Sequence, residues 1–352
     1  MEPLWVKAVI ALAPVVICLV AFERFDAFRL VSTGEVAALL AAGAALATGS
    51  YFANSGVMDQ FPIGFTNYTR FGAPLLEESL KAAFIVLLFA FNRVGYLIDA
   101  AIAGFAVGSG FALAENLFFL HQFGGANLGT WVVRGFGTAI MHGGASAIMA
   151  VLSMVLYAPR LRRDASKFHF NPLLFLPGLA AAIAMHAAFN YFHQASLEAM
   201  AIVLLAVPMT LFAIFSQGET YAHRWLVQDR AAHTKLLDDL RSGAFKESTE
   251  GKALQSLANR LGAEGARDLF DYVRTNVELV VRADETLLSI EDHERVALGD
   301  SVRKQFQHLH QLERRLGRTT ILAVRQHLHV SRDDLWKMHE LQIDSGRRNL
   351  RA

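Results

Sequence analysis

Apolar runs about as long as a bilayer is thick dominate the first 217 residues of the chain. Segments of roughly 20 residues suit a hydrocarbon core about 30 Å thick. Seven such runs cover approximately 4–22, 31–52, 73–92, 97–120, 130–157, 171–193 and 199–217. Residues 1–217 carry 11 Lys and Arg and 11 Asp and Glu, whereas the remaining 135 residues carry 22 and 21. The sequence therefore predicts an all-α, polytopic helical membrane protein with about seven transmembrane helices.

The second part of the chain, residues 218–352, has the pattern of a small helical soluble domain. Segments 234–245 and 302–317 place apolar residues three and four apart with charges between them, which is typical of amphipathic helices. The formal net charge of the whole chain is +1, so the charge balance gives no indication of nucleic-acid binding. We predict two domains, a transmembrane core over 1–217 and a helical soluble domain over 218–352.

Basic residues predict how the chain is oriented in the membrane. They follow the first, third and fifth apolar runs, at Arg24, Arg29, Arg93, Arg160, Arg162, Arg163 and Lys167. Lys and Arg accumulate in cytoplasmic loops, so these alternate loops are expected on the cytoplasmic side. With seven spans the N-terminus lies outside and the second domain lies in the cytoplasm. The pattern predicts a multi-pass protein of the cell membrane.

Three charged residues interrupt the start of the third apolar run, PLLEESLK. On insertion scales a charge at the bilayer centre costs about 2.5 to 3.5 kcal/mol, so such residues usually face the protein interior and serve a function. Lys81 is four residues after Glu77 and three after Glu78, so it can pair with either carboxylate. The two carboxylates point about 100° apart around the helix, so one can face a cavity while the other binds the lysine.

Polar residues in three later runs are predicted to meet this cluster. They are Glu115, His142, His186 and Asn190, and the last two share a helical face because they are four residues apart. A rise of about 1.5 Å per residue places the polar groups of all four helices roughly 8 to 12 Å below one membrane face. Carboxylates and imidazoles in a partly dry cavity can activate water, and imidazole and amide N–H groups can stabilise an oxyanion. This inventory indicates hydrolysis of a peptide bond.

Four short motifs carry a resemblance to a known family. They are EESLK at 77–81, FALAE at 111–115, MHGG at 141–144 and HAAFN at 186–190, in this order on successive apolar helices. In these motifs the sequence resembles the PrsW-type intramembrane proteases, distant relatives of the CAAX prenyl endopeptidases and of bacteriocin-immunity membrane proteases. The resemblance covers roughly residues 70–193 and implies that the transmembrane part is a protease core.

The resemblance implies roles for the motif residues. Glu77 would be the base that activates water together with Glu115 and His142, while His186 and Asn190 would form the oxyanion hole. Lys81 and Phe111 would support these groups. Glu78 belongs to the same catalytic set, and the sequence leaves open which of the two adjacent glutamates is the base.

The resemblance also implies partners and a location. The expected substrates are membrane-anchored proteins, among them proteins similar to anti-sigma factors, in a bacterial inner membrane. No cofactor is expected, although a zinc ion held by Glu115, His142 and His186 remains an alternative, since soluble zinc proteases combine two histidines with a carboxylate. A proton-coupled transporter built from the same carboxylates is the alternative outside the enzyme class. The soluble helices are also compatible with oligomerisation.

Two further features predict how the helices pack. Small residues at Gly104, Gly108 and Gly110, and at Gly143 and Gly144, should allow helices to approach closely. Arg134 lies near the start of the fifth apolar run, where a long basic side chain can reach the membrane surface. We therefore expect Arg134 to be an interface anchor.

Overall fold

The computed structural model describes residues 2–25, 33–91, 93–163, 170–192, 195–291, 300–328 and 332–348. All regular elements in these ranges are helices, which confirms the predicted all-α fold class. The chain divides into two compact units, one of Met1–Pro159 with Phe170–Glu219 and one of Arg160–His169 with Thr220–Ala352. Of the basic residues that predict the orientation, Arg29 and Lys167 lie outside the described residues.

Within the described residues, nine α-helices begin in the first unit. They are α1 (Leu4–Phe25), α2 (Thr33–Gln60), α3 (Phe65–Asn67), α4 (Ala73–Ala90), α5 (Leu97–Phe123), α6 (Leu128–Val132), α7 (Ala139–Arg163), α8 (Leu176–Tyr191) and α9 (Ser196–Ser242). Two π-helical segments connect them: Tyr68–Gly72 joins α3 to α4, and Val133–Thr138 joins α6 to α7. A 3-10 turn, Pro172–Phe175, precedes α8.

Six helical stretches of the described residues are long and apolar enough to cross a membrane. They are Leu4–Phe22, Thr33–Gln60, Leu97–Phe123, Leu128–Ala158, Pro172–Tyr191 and Ser196–Ile214. These correspond to six of the seven predicted spans. The seventh is α4, whose 18 residues include Glu77, Glu78 and Lys81, and its crossing of the membrane stays a prediction.

Helices α5 and α7 form the interior of the first unit. In α5 every residue from 98 to 112 is buried. In the most apolar stretch of α5, 83% of the residues are buried, whereas only 17% are buried in the most apolar stretch of α2 and of α9. Large apolar side chains such as Phe52, Ile202 and Met209 face outward. Exposed apolar surface of this extent suits contact with lipid, because lipid tails are as apolar as these side chains.

Glycines set the distance between α5 and its neighbours. A Cβ atom at Gly108 would collide with the carbonyl oxygen of His142 in α7, and one at Gly110 would collide with the carbonyl oxygen of Leu40 in α2. Any larger residue would force the backbones apart, so the predicted close approach is present at these positions. The approach of α5 to α7 brings Glu115 within reach of His142.

The second unit buries a core of its own. Its helices after α9 are α10 (Thr249–Arg260), α11 (Gly262–Glu291), α12 (Asp300–His327) and α13 (Arg332–Arg348). Their amphipathic faces bury apolar residues against one another, including Leu254, Leu269, Tyr272, Val302 and Leu312. Helix α12 bends at Gly317, whose φ of 77° lies in the left-handed region that favours glycine.

A buried ionic cluster connects α9, α11 and α13 inside the second unit. The Lys337 Nζ atom lies 2.7 Å from Asp284, 2.9 Å from Asp334 and 3.1 Å from Asp229. The His233 Nδ1 atom lies 2.8 Å from Asp284. The Lys337 side chain is fully buried, and breaking a buried pair by removing one partner typically costs about 3 to 5 kcal/mol. The cluster therefore specifies how these three helices pack.

The cluster keeps His233 protonated at neutral pH. Burial lowers the pKa of His233, but hydrogen bonds to the Asp284 and Asp334 carboxylates outweigh burial and raise it to about 9. Burial likewise opposes the charge on Lys337, yet the three carboxylates raise its pKa above its ordinary value.

We expect the second unit to lose stability as pH rises from 6.5 to 9.5. Because the folded pKa of His233 is about 9 and its ordinary value in an unfolded chain is 6.5, its contribution is complete below pH 6.5 and is lost as the pH rises through 9. A shift of this size corresponds to about 3 kcal/mol. Hydrogen exchange of α11 and α13 in the full-length protein, corrected for intrinsic rates, measures it. The His233→Gln variant should show no such loss, and a wild-type unit equally stable at both pH values would contradict the assignment.

Candidate active site

An ion pair on α4 lies at the centre of the polar groups. The Lys81 ammonium donates to Glu78 Oε1 across 2.6 Å, and the same oxygen lies 2.8 Å from Nδ1 of His186. Glu78 is 2% exposed and Lys81 is 1% exposed. Of the two pairings that the sequence allowed, the structure therefore has Lys81 with Glu78. The carboxylate of Glu78 also sets the orientation of the His186 ring, since Nδ1 must carry the hydrogen that it donates.

His142 connects the ion pair to a third carboxylate. Its Nδ1 atom lies 3.1 Å from the Lys81 Nζ atom, and its Nε2 atom lies 3.0 Å from Oε2 of Glu115. An ammonium group can only donate, so Nδ1 accepts and Nε2 carries the hydrogen that Glu115 accepts. Both ring nitrogens are therefore engaged. The chain of contacts runs from α4 through α7 to α5.

Phe111 holds the two basic groups from one side. The Lys81 Nζ atom lies 4.7 Å from the centroid of the Phe111 ring, and that ring lies 5.1 Å from the His142 ring. A cation over an aromatic face is stabilised by the ring quadrupole. The motif that joins Phe111 to Glu115 therefore places both residues against His142.

Glu77 has surroundings that differ from those of Glu78. Its Oε1 atom accepts a hydrogen bond of 3.0 Å from the Asn54 amide, and the Tyr68 hydroxyl donates to the Asn54 oxygen across 2.7 Å. Among the residues that the structure describes, no group donates to Oε2 of Glu77. Sequence reasoning missed Asn54 and Tyr68. The only signal was a carboxamide near the end of an apolar run, which is too weak to assign a role.

Arg134 does not anchor the interface, and that expectation was wrong. Its side chain is 12% exposed. Its Nη2 atom donates to Oε1 of Glu115 and its Nε atom donates to Oδ1 of Asn116, each across 2.9 Å. The guanidinium also lies 4.0 Å from the centroid of the Phe119 ring. Arg134 lies in the π-helical segment Val133–Thr138, and its side chain contacts Glu115 and Asn116 of α5.

A cavity of about 710 Å³ adjoins these groups. Its lining comes from the connections between α2 and α4, between α5 and α7 and between α8 and α9, and it includes Arg134 and Asn190. The Asn190 amide donates to the backbone oxygen of Thr69 across 2.9 Å. Asn190 therefore faces the cavity, while the structure joins Glu78, Lys81, Glu115, His142 and His186 in one hydrogen-bonded network. The Glu115 side chain is 36% exposed, so water can reach it.

These features define a class of protein. A helical membrane protein that buries carboxylates and imidazoles beside a polar cavity has the composition of an intramembrane hydrolase. The sequence model of the PrsW family intramembrane metalloproteases matches residues 32–215, just over half of the chain. The chain therefore belongs to this family, as its four motifs predicted, and its activity is that of an intramembrane protease. Comparison with curated proteins and with solved structures finds no match.

The family description implies a bound metal ion, and among the described residues of the transmembrane unit one set of donors lies close enough together for it. Glu77, His142 and His186 each present one ligand atom, and these atoms lie within 4.8 Å of one another. Two imidazoles and one carboxylate are a donor set that zinc accepts. The set differs from the predicted one, because Glu77 takes the place of Glu115, which instead binds Arg134 and His142.

The contacts of His142 do not fit a metal ion. Its Nδ1 lone pair faces the Lys81 ammonium, and its Nε2 hydrogen faces Glu115. Neither nitrogen therefore offers a lone pair, and a metal ion at Nδ1 would need the position that the Lys81 ammonium occupies. The two cations would also repel each other at such a distance.

The Asn54 contact generates a test of how Glu77 is held. Replacing Asn54 with Leu removes the hydrogen bond that orients the carboxylate, and a hydrogen bond to a charged group contributes about 1.5 to 3 kcal/mol. We expect kcat to fall roughly 10- to 100-fold with KM unchanged, measured on a cleaved membrane substrate. The Tyr68→Phe variant keeps the hydrogen bond from Asn54 to Glu77 but loses the hydroxyl that donates to Asn54. Its kcat should fall by a smaller factor. Full activity of Asn54→Leu would contradict this role.

Proposed function

We propose that the chain hydrolyses peptide bonds of membrane-anchored proteins with a water molecule that Glu77 activates. The observation that carries the proposal is the difference between the two adjacent glutamates. Glu78 is buried and receives two donors on one oxygen, whereas Glu77 is held at Oε1 by Asn54 and has an unpartnered Oε2 among the described residues. A general base needs an oxygen that water can reach.

The first step is attack by water on the scissile carbonyl carbon. Glu77 takes one proton from the water, and the resulting hydroxide forms the new C–O bond while the carbonyl π electrons move onto oxygen. The tetrahedral intermediate then expels the amine, and Glu77 returns its proton to the leaving nitrogen. The products are one carboxyl end and one amine end, and Glu77 is regenerated.

His186 and Asn190 are the donors that we propose for the oxyanion. The Asn190 amide has a second hydrogen beside the one given to Thr69. His186 gives its Nδ1 hydrogen to Glu78, so it can donate from Nε2 only when protonated. Donors aimed at a developing oxyanion are commonly worth 10²- to 10³-fold in kcat.

The remaining groups are positioning residues. Glu78 and Lys81 hold the two imidazoles, and Glu115 holds the His142 ring from the other side. Their buried charges satisfy one another, which keeps the site polar at a depth where an unpaired charge would be costly. A proton-coupled transporter would also place carboxylates in a membrane, but the family match supports a protease.

We propose further that the second unit lies in the cytoplasm. The basic residues after α1, after α4 and at the end of α7 support this orientation, since short loops rich in Lys and Arg stay on the cytoplasmic side. The cavity beside the active site would then open toward the outer face. Substrates would be cut near the outer ends of their membrane spans.

Replacing Glu77 and Glu78 in turn by glutamine should have different effects on activity and on stability. Glu77→Gln should lower kcat at least 10³-fold while leaving thermal stability unchanged, because Glu77 makes one hydrogen bond that an amide can keep. Glu78→Gln leaves the buried Lys81 ammonium without its counter-charge, which should destabilise the protein by about 3 to 5 kcal/mol. Proteomics identifies the substrates: they are membrane proteins that are cut in cells with the wild-type enzyme and accumulate uncut in cells with Glu77→Gln.

Thermal unfolding in detergent and cleavage of such a substrate in vesicles measure the two effects. Glu77→Asp is the matched control, since it keeps the charge but shortens the reach, and it should retain partial activity. A Glu77→Gln enzyme with wild-type kcat would rule out Glu77 as the base. An ion gradient that drives solute uptake in the same vesicles, without cleavage, would favour the transporter.

Metal dependence has its own test. We expect the purified protein to keep its cleavage rate in the presence of a strong zinc chelator and to contain far less than one metal ion per chain. The Lys81→Met variant removes the cation that competes for His142, so it should bind zinc more tightly than the wild type. Loss of wild-type activity on chelation, with recovery on adding zinc, would show that the donors rearrange to hold a metal ion.

A further inference from the structure

The cavity beside the active site has basic residues in its lining. Its lining residues among those described include two arginines, Arg70 and Arg134, and none of them is acidic. Glu198, which follows the lining residue Leu197 in the chain, is exposed and does not line the cavity. Two guanidinium groups in a lining that holds no carboxylate favour an anionic group in the cavity. One of the two, Arg134, is also paired with Glu115, which is not among the lining residues.

Arg134 has donor capacity left over for a ligand. Its Nη2 and Nε atoms are engaged by Glu115 and Asn116. In the described part of the chain its Nη1 atom has no hydrogen-bond partner. Since the side chain lines the cavity and is 12% exposed, the remaining N–H groups of this fixed guanidinium are available there. Planar arginine forks match carboxylates and phosphates in geometry.

Arg70, in the connection between α3 and α4, supplies the second positive charge. It lies in the π-helical segment Tyr68–Gly72, and its guanidinium is 5.1 Å from the centroid of the Tyr191 ring. The two cavity arginines therefore lie in the two π-helical segments that lead into α4 and α7. These are the helices that carry Glu77 and His142, so a ligand held by the arginines lies next to the active site.

The remaining lining suits an extended peptide. Hydroxyl groups of Thr66, Thr69 and Ser196 and the amide of Asn190 can bond to backbone groups, while Phe65 and Phe189 offer apolar contact. The volume of about 710 Å³ lies within the range of about 300 to 1,000 Å³ that is common for ligand sites. It has room for a few residues of a polypeptide.

We propose that this cavity is the substrate subsite for a segment outside the membrane that carries an aspartate or glutamate side chain close to the scissile bond. The proposal rests on the proposed protease function, which it extends to the class of sequence that is cut. A lipid phosphate would satisfy the same arginines. A peptide is favoured because Asn190, which lines the cavity, also belongs to the proposed oxyanion hole, so the occupant must be continuous with the substrate.

The experiment compares two substrate peptides that differ by one oxygen-for-nitrogen exchange. A single-span substrate identified in cells is synthesised with its acidic residue near the cut site and with the corresponding amide, Asp→Asn or Glu→Gln. Binding is measured by a photo-crosslinker at Ser196 in the full-length Glu77→Gln protein, and cleavage is measured with the wild-type catalytic residues. We expect the amide peptide to bind roughly 10- to 100-fold more weakly and to show KM raised by the same factor.

A matched pair of variants tests the charge of the cavity. Thr66→Glu adds a carboxylate to the lining, and Thr66→Gln adds the same volume without charge. Thr66→Gln should affect both peptides equally. Relative to Thr66→Gln, the Thr66→Glu variant should bind the acidic peptide at least 10-fold more weakly and the amide peptide equally well. High salt should reduce the preference for the acidic peptide only partly, because the arginines are largely enclosed.

Each other outcome has a definite meaning. Equal crosslinking of the acidic and amide peptides would overturn the subsite. Crosslinking of both that is suppressed by vesicles of phosphatidylglycerol, but not by vesicles of phosphatidylcholine, would also overturn it and identify an anionic lipid as the occupant. Selective crosslinking of the acidic peptide, together with no cleavage of either peptide by the wild-type enzyme, would support the subsite and contradict the proposed protease mechanism.

Discussion

The buried pair of Glu78 and Lys81 is the interaction on which the rest of the site depends. A charge away from water is tolerated only when other groups satisfy it, and here one carboxylate oxygen receives both an ammonium and an imidazole N–H. The lysine in turn contacts the second imidazole. Four helices, α4, α5, α7 and α8, therefore contribute to a single network in which no charge is isolated. The same contacts that make the bundle compatible with burial also orient both histidines.

Two adjacent glutamates with the same chemistry acquire different roles through their surroundings. Glu78 faces the interior, where the Lys81 ammonium and the His186 N–H donate to it, whereas Glu77 is turned by about 100° toward Asn54 and the less enclosed side of α4. The network thereby separates a dry part, which maintains geometry, from a part that water can enter. His142 links the two, because it contacts the buried lysine with one nitrogen and the partly exposed Glu115 with the other.

Much of the fold and part of the site could be predicted from sequence, for identifiable reasons. Apolar run lengths predict the helices, and the spacing of Glu78, Lys81 and His186 predicts which groups can meet, because both follow from regular helical geometry. Asn54 and Arg134 could not be predicted in the same way. Asn54 bonds to a residue on another helix, which only tertiary packing decides. Arg134 was expected at the interface because it lies near the start of its apolar run, and a regular helix would place it about 80° from the face of His142, eight positions later.

The π-helical segment before α7 explains that difference and carries a consequence of its own. A π-turn holds one residue more than an α-turn, so the eight positions from Arg134 to His142 behave as seven, and the two side chains fall within about 20° of one face. Both then contact Glu115. Function here depends on the number of residues in a stretch as well as on their identity. Inserting a single amino acid between these positions, while keeping each named side chain, would make them behave as eight and turn the guanidinium about 80° away from the face of His142.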